Sequence, residues 1–297
     1  MSPIIPHTTQ AEVTVIIPSY NRAHLLRKTI PSYVQPGVGE IIIVDDASTD
    51  DTAVVVQQLQ QQYPLISYIR LQQNRRQMYA KNRGIENARF PFIYFGDDDS
   101  FITEMAIPVL LATAREQNAD IVGAKALYMQ TDDDLQDVNG FIKRFDKIAA
   151  TSLDIADLST LKFNFTLSTE RAVETPVTHA CFLIRTELAR QILFDEKYII
   201  NAYREETDFL IRANLIGAKI YYQPKAIQIN LPRSIASGGA HSSGRIVWLL
   251  ACVYNNWYFL RKNYRLVKKK YNINQSIVAL QCKFVLRGII KTLFSRR

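Results

Sequence analysis

The sequence predicts an α/β fold: a mainly parallel sheet flanked by helices, with a helical extension at its C-terminal end. Three observations predict it. Through the first half, short apolar and β-branched runs alternate with helix-length segments, the pattern of units whose strands run parallel and are covered on both faces. Three of those runs end in clusters of polar and acidic residues. From residue 245 onward the chain reads as two or three helices, interrupted near Asn272.

Taken in order, residues 13–17 are a strand ended by Pro18, 23–33 a helix, 40–44 a buried strand and 52–62 a helix. A third strand is expected at 65–71, a helix at 79–88, and a fourth strand at 90–95 that runs into Asp97, Asp98 and Asp99. The second half predicts a helix over 105–117, a strand over 121–129, and helices over 186–193 and 205–216. Gly217 suits the position just past a helix end. A strand over 219–222 is closed by Pro224, and a Ser- and Gly-rich loop fills 232–244. The stretch between 137 and 186 shows no clear period.

With 297 residues, 47% of them hydrophobic and 22% charged, the chain has an ordinary globular composition and can bury a sizeable core. Cys181, Cys252 and Cys282 are odd in number, far apart and in no metal-binding spacing, so a reducing, cytoplasmic compartment is expected. The first ten residues have neither a basic flank nor an apolar run, so no signal peptide is expected. The net charge of +8 is unevenly placed. Residues 1–208 hold 20 Lys+Arg against all 28 Asp+Glu, whereas residues 209–297 hold 16 Lys+Arg and no acid. Such a tail suits an anionic partner such as membrane lipid, nucleic acid or a phosphorylated substrate, or is simply a solvated cationic end. No apolar run reaches the ~20 residues needed to span a bilayer. The longest, 246–260, is broken by Asn255 and Asn256, so peripheral attachment is the expectation.

In parallel sheets, ligands bind outside the carboxyl ends of the strands. Here Tyr20, Asn21 and Arg22 follow the first strand, Asp45 and Asp46 the second, and Asp97, Asp98 and Asp99 the fourth, so three polar clusters share one sheet edge. An acidic triplet suits Mg²⁺ or Mn²⁺, hard cations that take oxygen ligands and often complete their shell with substrate phosphates. Taken alone it fits a solvated turn or a helix N-cap equally well. A second triplet, Asp132, Asp133 and Asp134, lacks partner motifs and reads as a surface turn. Ser48, Thr49 and Asp50 are capping residues for the next helix, but that does not explain the adjacent acids at the strand end. A carboxylate there can accept the imide N–H of a uracil-type base.

Five blocks then form a series: TVIIPSYNR at 14–22, IVDDASTD at 43–50, AKNRG at 80–84, YFGDDD at 94–99, and FDE at 194–196 followed by REETDF at 204–209. In that order they resemble glycosyltransferase family 2. The resemblance implies a GT-A (Rossmann-like) domain over 1–240, with a nucleotide-binding half at about 12–105 and an acceptor half at 106–240, ahead of a basic helical extension at 241–297. It also implies inverting, Mn²⁺- or Mg²⁺-dependent transfer from a nucleotide-sugar, UDP- or dTDP-linked, to a saccharide or lipid-linked saccharide. On that resemblance Pro18, Tyr20 and Asp46 surround the base, Arg22 and Lys81 lie near the base or diphosphate, and Asp97 and Asp98 lie at the ribose and diphosphate. Asp99 is the principal metal ligand, with Asp97 beside it.

Glu206 occupies the position of the family's basic Asp, one methylene longer, with Glu205 beside it. The competing reading is that Glu205, Glu206 and Asp208 only favour a helix N-terminus, at ~0.3–1 kcal/mol each. Where many relatives place a metal-binding His, this chain has Asn230, and His241 is the substitute on the following loop. A nucleotidyltransferase would carry a Gly-rich loop after the first strand, which Pro18 to Asn21 lack. A nucleotide- or membrane-binding module without turnover is the non-enzymatic alternative. Nothing besides the basic tail points to nucleic acid, so none is expected.

Overall fold

The computed structural model describes residues 10–237 and 244–294. The chain opens with β1 (Val13–Ser19), α1 (Ala23–Thr29), β2 (Val38–Asp45), α2 (Thr52–Gln62), β3 (Ile66–Arg70) and α3 (Arg76–Asn87). β4 (Phe92–Phe95), β5 (Ser100–Ile102), α4 (Ala106–Glu116) and β6 (Ile121–Tyr128) follow. The middle holds two short helices, α5 (Val138–Lys143) and α6 (Ser152–Ile155), and a small hairpin, β7 (Ala156–Asp157) with β8 (Lys162–Phe163). Then come β9 (Val173–Glu174), β10 (Phe182–Arg185), α7 (Thr186–Ile192), α8 (Glu205–Leu215), β11 (Ile220–Asn230), α9 (Arg245–Tyr271) and α10 (Ile277–Phe294).

The main sheet is ordered β3-β2-β1-β4-β10-β6-β11-β5, with β9 pairing β11. β3, β2, β1 and β4 are parallel, and β11 is parallel to β6. β10 is antiparallel to both β4 and β6, so β6 and β11 keep the direction of the first four. β5 and β9 run against β11. The sheet is thus mainly parallel but mixed. Its order reverses between β1 and β4, the place where such sheets bind ligands.

Strand alternation divides the core. Val13, Val15 and Ile17 of β1 pack with Leu26, Val56 and Leu110 of α1, α2 and α4. Ile16, out of phase, packs in a second core with Ile85 of α3, Phe209 of α8 and Phe259 of α9. α3 lies so close to β1 that a Cβ on Gly84 would stand 2.4 Å from Ile16 Cγ2.

Two expectations are corrected. The helix over 23–33 ends at Thr29 and tightens into a 3-10 turn (Ile30–Tyr33), where Pro31 has no N–H to continue the α-helical ladder. The strand at 219–222 does not stop at Pro224 but runs on to Asn230. Its register with β6 shifts between Gln223 and Ile227, so Pro224 falls in a bulge where no ladder donor is required. Gly217, with φ +98, stands just past α8 as expected, and Asn272 ends α9 in the left-handed region. Asp132, Asp133 and Asp134 lie in a turn in which Asp133 pairs with Arg144. Among the described residues, no helix is long and apolar enough to cross a membrane.

An alanine in an ordinary helix interior is favoured over glycine by about 1 kcal/mol. At position 84 the sign should reverse: Gly84→Ala is expected to cost about 1–3 kcal/mol by forcing α3 away from β1, measured by urea denaturation. An unchanged or raised midpoint would show that the close approach carries no constraint.

Candidate active site

The carboxyl ends of β1, β2, β4 and β11 and the start of α8 enclose a cleft of about 440 Å³. Pro18, Tyr20, Arg22, Asp46, Asp97, Asp98, Asp99 and Glu206 all line it. Lys81 and Glu205 lie beneath its wall, each 1% exposed. His241 falls outside the described residues.

The acidic turn is built from below. Tyr33 donates its hydroxyl to the Asp97 carbonyl (3.1 Å) and accepts the Asp97 N–H (3.2 Å). Thr29 donates to the Asp98 carbonyl (3.1 Å). The Tyr33 ring fits there only because residue 96 is glycine, whose Cβ would stand 2.9 Å from it. Asp98 accepts from the Ser19 hydroxyl (2.8 Å) and faces Arg22 at 3.9 Å, while Arg22 donates to Asp99 (3.3 Å). Burial pushes the Asp98 carboxyl up to about 7, against the pull of Arg22. Asp97 accepts from the Cys181 thiol (3.3 Å) and from Gln228 (3.4 Å).

Asp46 accepts the backbone N–H groups of Arg75 and Arg76 (2.6 and 2.8 Å), fixing the entry to α3. Burial raises its pKa, and those two N–H groups oppose the rise. Each carboxylate oxygen can accept more than one hydrogen bond, so the group also retains capacity toward the cleft. Arg76, exposed and in the cleft lining, was missed in the sequence because Lys81 matched the expected motif.

Lys81 is placed differently from the expectation. It contacts no open part of the cleft; its Nζ donates to Glu205 (2.9 Å) and Glu206 (3.0 Å) and sits over the Phe194 ring. A lysine turned inward on α3 can reach α8 because both helices pack on the same core. Burial works to strip its proton, but the two glutamates outweigh that and hold its pKa well above the ordinary value. Gln77, one turn earlier, donates to the same two carboxylates. Burial drives Glu205 upward, toward the protonated form. Glu206 goes the other way: Lys81 and Glu205 overcome its burial and lower its pKa. The pair therefore holds its negative charge on Glu206, whose side chain is 22% exposed at the cleft.

The far wall was not visible in the sequence. Ile200, Asn201 and Ala202 line the cleft, and Ile200, Ala202 and Arg204 all have φ near +50 to +76. Such backbone is costly for residues other than glycine and persists only where its surroundings hold it. α9 supplies the hold. Asn255 accepts the Ile199 N–H (3.0 Å) and donates to the Ile199 carbonyl (2.9 Å), and Asn256 accepts from Arg204 (3.2 Å). Lys262 and Asn263 donate to Asp208 (3.0 and 2.6 Å). Two residues read as interruptions of an apolar run are thus buried fastenings. At the end of β6, His179 bonds the Tyr128 hydroxyl (2.6 Å), and burial holds its pKa down to about 4, leaving it neutral.

Among the described residues, no group of three or more His, Cys, Asp or Glu side chains could hold a metal ion. The residues present nevertheless suit a hard cation that binds together with a diphosphate. Asp99 faces the cleft, and Asn230 beside it donates its amide N–H to the Leu127 carbonyl (3.1 Å), which turns its oxygen toward the role of acceptor or ligand.

A mixed, mainly parallel sheet flanked by helices is the architecture of the GT-A glycosyltransferases, and structures of Staphylococcus aureus TarS share this fold. Residues 1–349 of that protein in complex with UDP-GlcNAc superpose with a TM-score of 0.58 at 17% identity, covering 95% of this chain and 73% of that one. Residues 14–193 match Glycosyl transferase family 2, and the chain belongs to that family. Among curated relatives, a Campylobacter jejuni GalNAc(5)-diNAcBac-PP-undecaprenol β-1,3-glucosyltransferase is 39% identical over 116 residues, 38% of this chain and 37% of that protein. The S. aureus poly(ribitol-phosphate) β-N-acetylglucosaminyltransferase TarP is 27% identical over 121 residues, 38% of this chain and 36% of that protein. The matched stretch thus spans little more than a third of either relative.

Two measurements test the electrostatics. Lys81→Met leaves the Glu206 charge, with buried Glu205 against it, without a counter-charge and is expected to cost about 3–5 kcal/mol in urea denaturation, with partial recovery in Lys81→Met/Glu206→Gln. A loss below about 1 kcal/mol would mean that the ammonium is dispensable. Asp98 has a folded pKa raised from 3.8 to about 7. Between those values the folded state keeps a proton that the unfolded state has released, so stability falls as pH rises through that window. Asp98→Asn should flatten that slope in melting temperatures recorded across it; a slope unchanged in the variant would assign it to another group.

Proposed function

We propose that this protein transfers a sugar, with inversion, from a UDP- or dTDP-linked donor to a saccharide or lipid-linked saccharide, with Glu206 as general base. The observation that carries the reading is the Glu206 carboxylate, held ionised by Lys81 and open to the same cleft as the Asp97–Asp99 turn. In the reaction Glu206 takes the proton of the acceptor hydroxyl as that oxygen attacks the anomeric carbon. The bond from that carbon to the diphosphate breaks on the opposite face, and the nucleoside diphosphate leaves with the bonding pair. Arg22 and Arg76 offer cationic partners to the diphosphate. Pro18, Tyr20 and Asp46 border the base, and Asp97 and Asp98 the ribose and diphosphate. A Mn²⁺ or Mg²⁺ ion, when bound, would be held by Asp99 with Asp97 and Asn230 at hand, and would offset charge on the leaving diphosphate.

The relatives support the donor and acceptor classes: one TarS structure contains UDP-GlcNAc, and the C. jejuni enzyme is named for a polyprenyl diphosphate-linked saccharide. We further read the protein as cytoplasmic and peripheral to the membrane that carries such an acceptor.

A thermal-shift screen of UDP, dTDP and their sugars, with and without Mn²⁺, tests the site. A shift with one nucleotide that grows with Mn²⁺ is expected, and Asp99→Ala should abolish the Mn²⁺ increment. Mn²⁺ alone should give little shift, because the protein supplies too few ligands without the diphosphate. Glu206→Gln is expected to lower transfer by about 10²–10⁴ while leaving the nucleotide shift intact. In the wild type, the acidic limb of kcat/KM should lie below the ordinary carboxylate range, since Glu206 must lose its proton to act and its pKa is lowered. Undiminished turnover in Glu206→Gln would remove it from the role of base.

A further inference from the structure

We infer that the outward face of α9 docks on an anionic lipid bilayer and sets the cleft beside the membrane. The inference takes from the glycosyl-transfer reading only what the cleft does; the position of the bilayer rests on separate observations.

α9 has two faces of opposite character. Inward, Asn255, Asn256, Phe259, Leu260, Asn263 and Tyr264 are buried against the rest of the protein. Outward, Ile246, Val247, Leu250 and Tyr254 are 75%, 46%, 62% and 50% exposed, and Arg261 and Arg265 are exposed farther along. At 3.6 residues per turn these six fall within about 100° of arc. They form one stripe, apolar over its first half and cationic over its second. Single exposed apolar side chains need no partner, but four on adjacent turns of one face mark a surface that meets something.

Charge selects that partner. Residues 209–297 hold 16 Lys+Arg and no acid, so this end of the chain repels cations and favours a surface of dense negative charge. Apolar side chains set beside arginines on one face match the acyl–headgroup boundary of a bilayer, where the former enter and the latter meet phosphates. Tyr254, with an apolar ring and a polar tip, suits the same boundary. No described helix is able to cross the bilayer, so the contact made by this face lies along it.

Position links the stripe to the cleft. Asn201 lines the cleft and donates to the Trp248 carbonyl and to Cys252 Sγ, both at 3.0 Å. The turns of α9 that carry the apolar half of the stripe therefore also hold the cleft wall. Cys252 is on the buried side of those turns, so a bilayer resting on the stripe lies about one helix diameter, ~10 Å, behind the wall, within reach of a lipid-anchored acceptor.

Vesicle flotation of the full chain tests this, with phosphatidylethanolamine–phosphatidylglycerol vesicles compared with phosphatidylcholine vesicles. The chain should float with the anionic vesicles, less so as salt is raised, and not with the neutral ones. Ile246→Glu/Leu250→Glu and, separately, Arg261→Glu/Arg265→Glu should each weaken vesicle binding by about tenfold or more, with the melting temperature and any UDP shift unchanged. Equal flotation with neutral vesicles, or full binding by both variants, would overturn the inference. So would a wild-type dimer in light scattering that Ile246→Glu/Leu250→Glu converts to a monomer, since a second copy would then cover the face. A UDP shift without flotation sinks the bilayer surface alone; flotation without any nucleotide shift sinks the glycosyl-transfer reading and leaves the surface standing.

Discussion

Lys81 brings a positive charge to a point almost closed to water, where an isolated ammonium would cost several kcal/mol. Glu205 and Glu206 meet it at 2.9 and 3.0 Å, and Gln77 occupies further acceptor capacity of the same carboxylates. Lys81 and Gln77 belong to α3, which packs on the strands of the first half; the glutamates open α8 in the second. Charge balance thus fastens the two halves of the cleft at the depth where their relative position matters most. It also decides the state of the acids. Two carboxylates sharing one cation in a dry site do not both ionise freely, and the exposed one, Glu206, keeps the charge.

The same logic of support from behind recurs around the cleft. The acidic turn is fixed through its backbone by Tyr33 and Thr29, which leaves its side chains to face the opening. The opposite wall, with its run of positive-φ residues, is fixed by Asn255 and Asn256 of α9. The C-terminal helices are therefore part of the structure of the site, although their sequence reads as a basic appendage. Lys262 and Asn263, which hold Asp208, tie α9 to the very helix that carries Glu206.

Legibility followed the range of the interactions. Most elements from 13 to 128 were visible because each buries a periodic face, and periodicity is a local property. The stretch from 138 to 185 was not, since its pieces are two to six residues long and gain their partners only in space. β10 is the clearest case: four residues inserted antiparallel between two parallel strands, with nothing in their sequence to announce the direction. β11 was cut short at Pro224 because the bulge that accommodates the proline depends on the strand beside it. Around the cleft, the acids and Tyr20 were legible as motifs at strand ends. Arg76 and the 200–202 wall were not: Arg76 opens α3 at an entry fixed by Asp46, and 200–202 lie in a loop whose path is set by the distant α9.

The sequence by itself determined the α/β class, the common edge on which Tyr20, Arg22, Asp46 and Asp97–Asp99 converge, and the unbalanced basic tail. These follow from residue order, spacing and charge, which need no coordinates. The tertiary structure alone decided that Lys81 turns inward to Glu205 and Glu206 and not outward to the cleft, and that Asn255 and Asn256 are buried fastenings. It also decided which face of α9 meets solvent. The physical reason is the same in each case. A side chain's burial and charge state depend on the groups that other elements bring within a few ångströms of it, and a linear pattern does not carry that information.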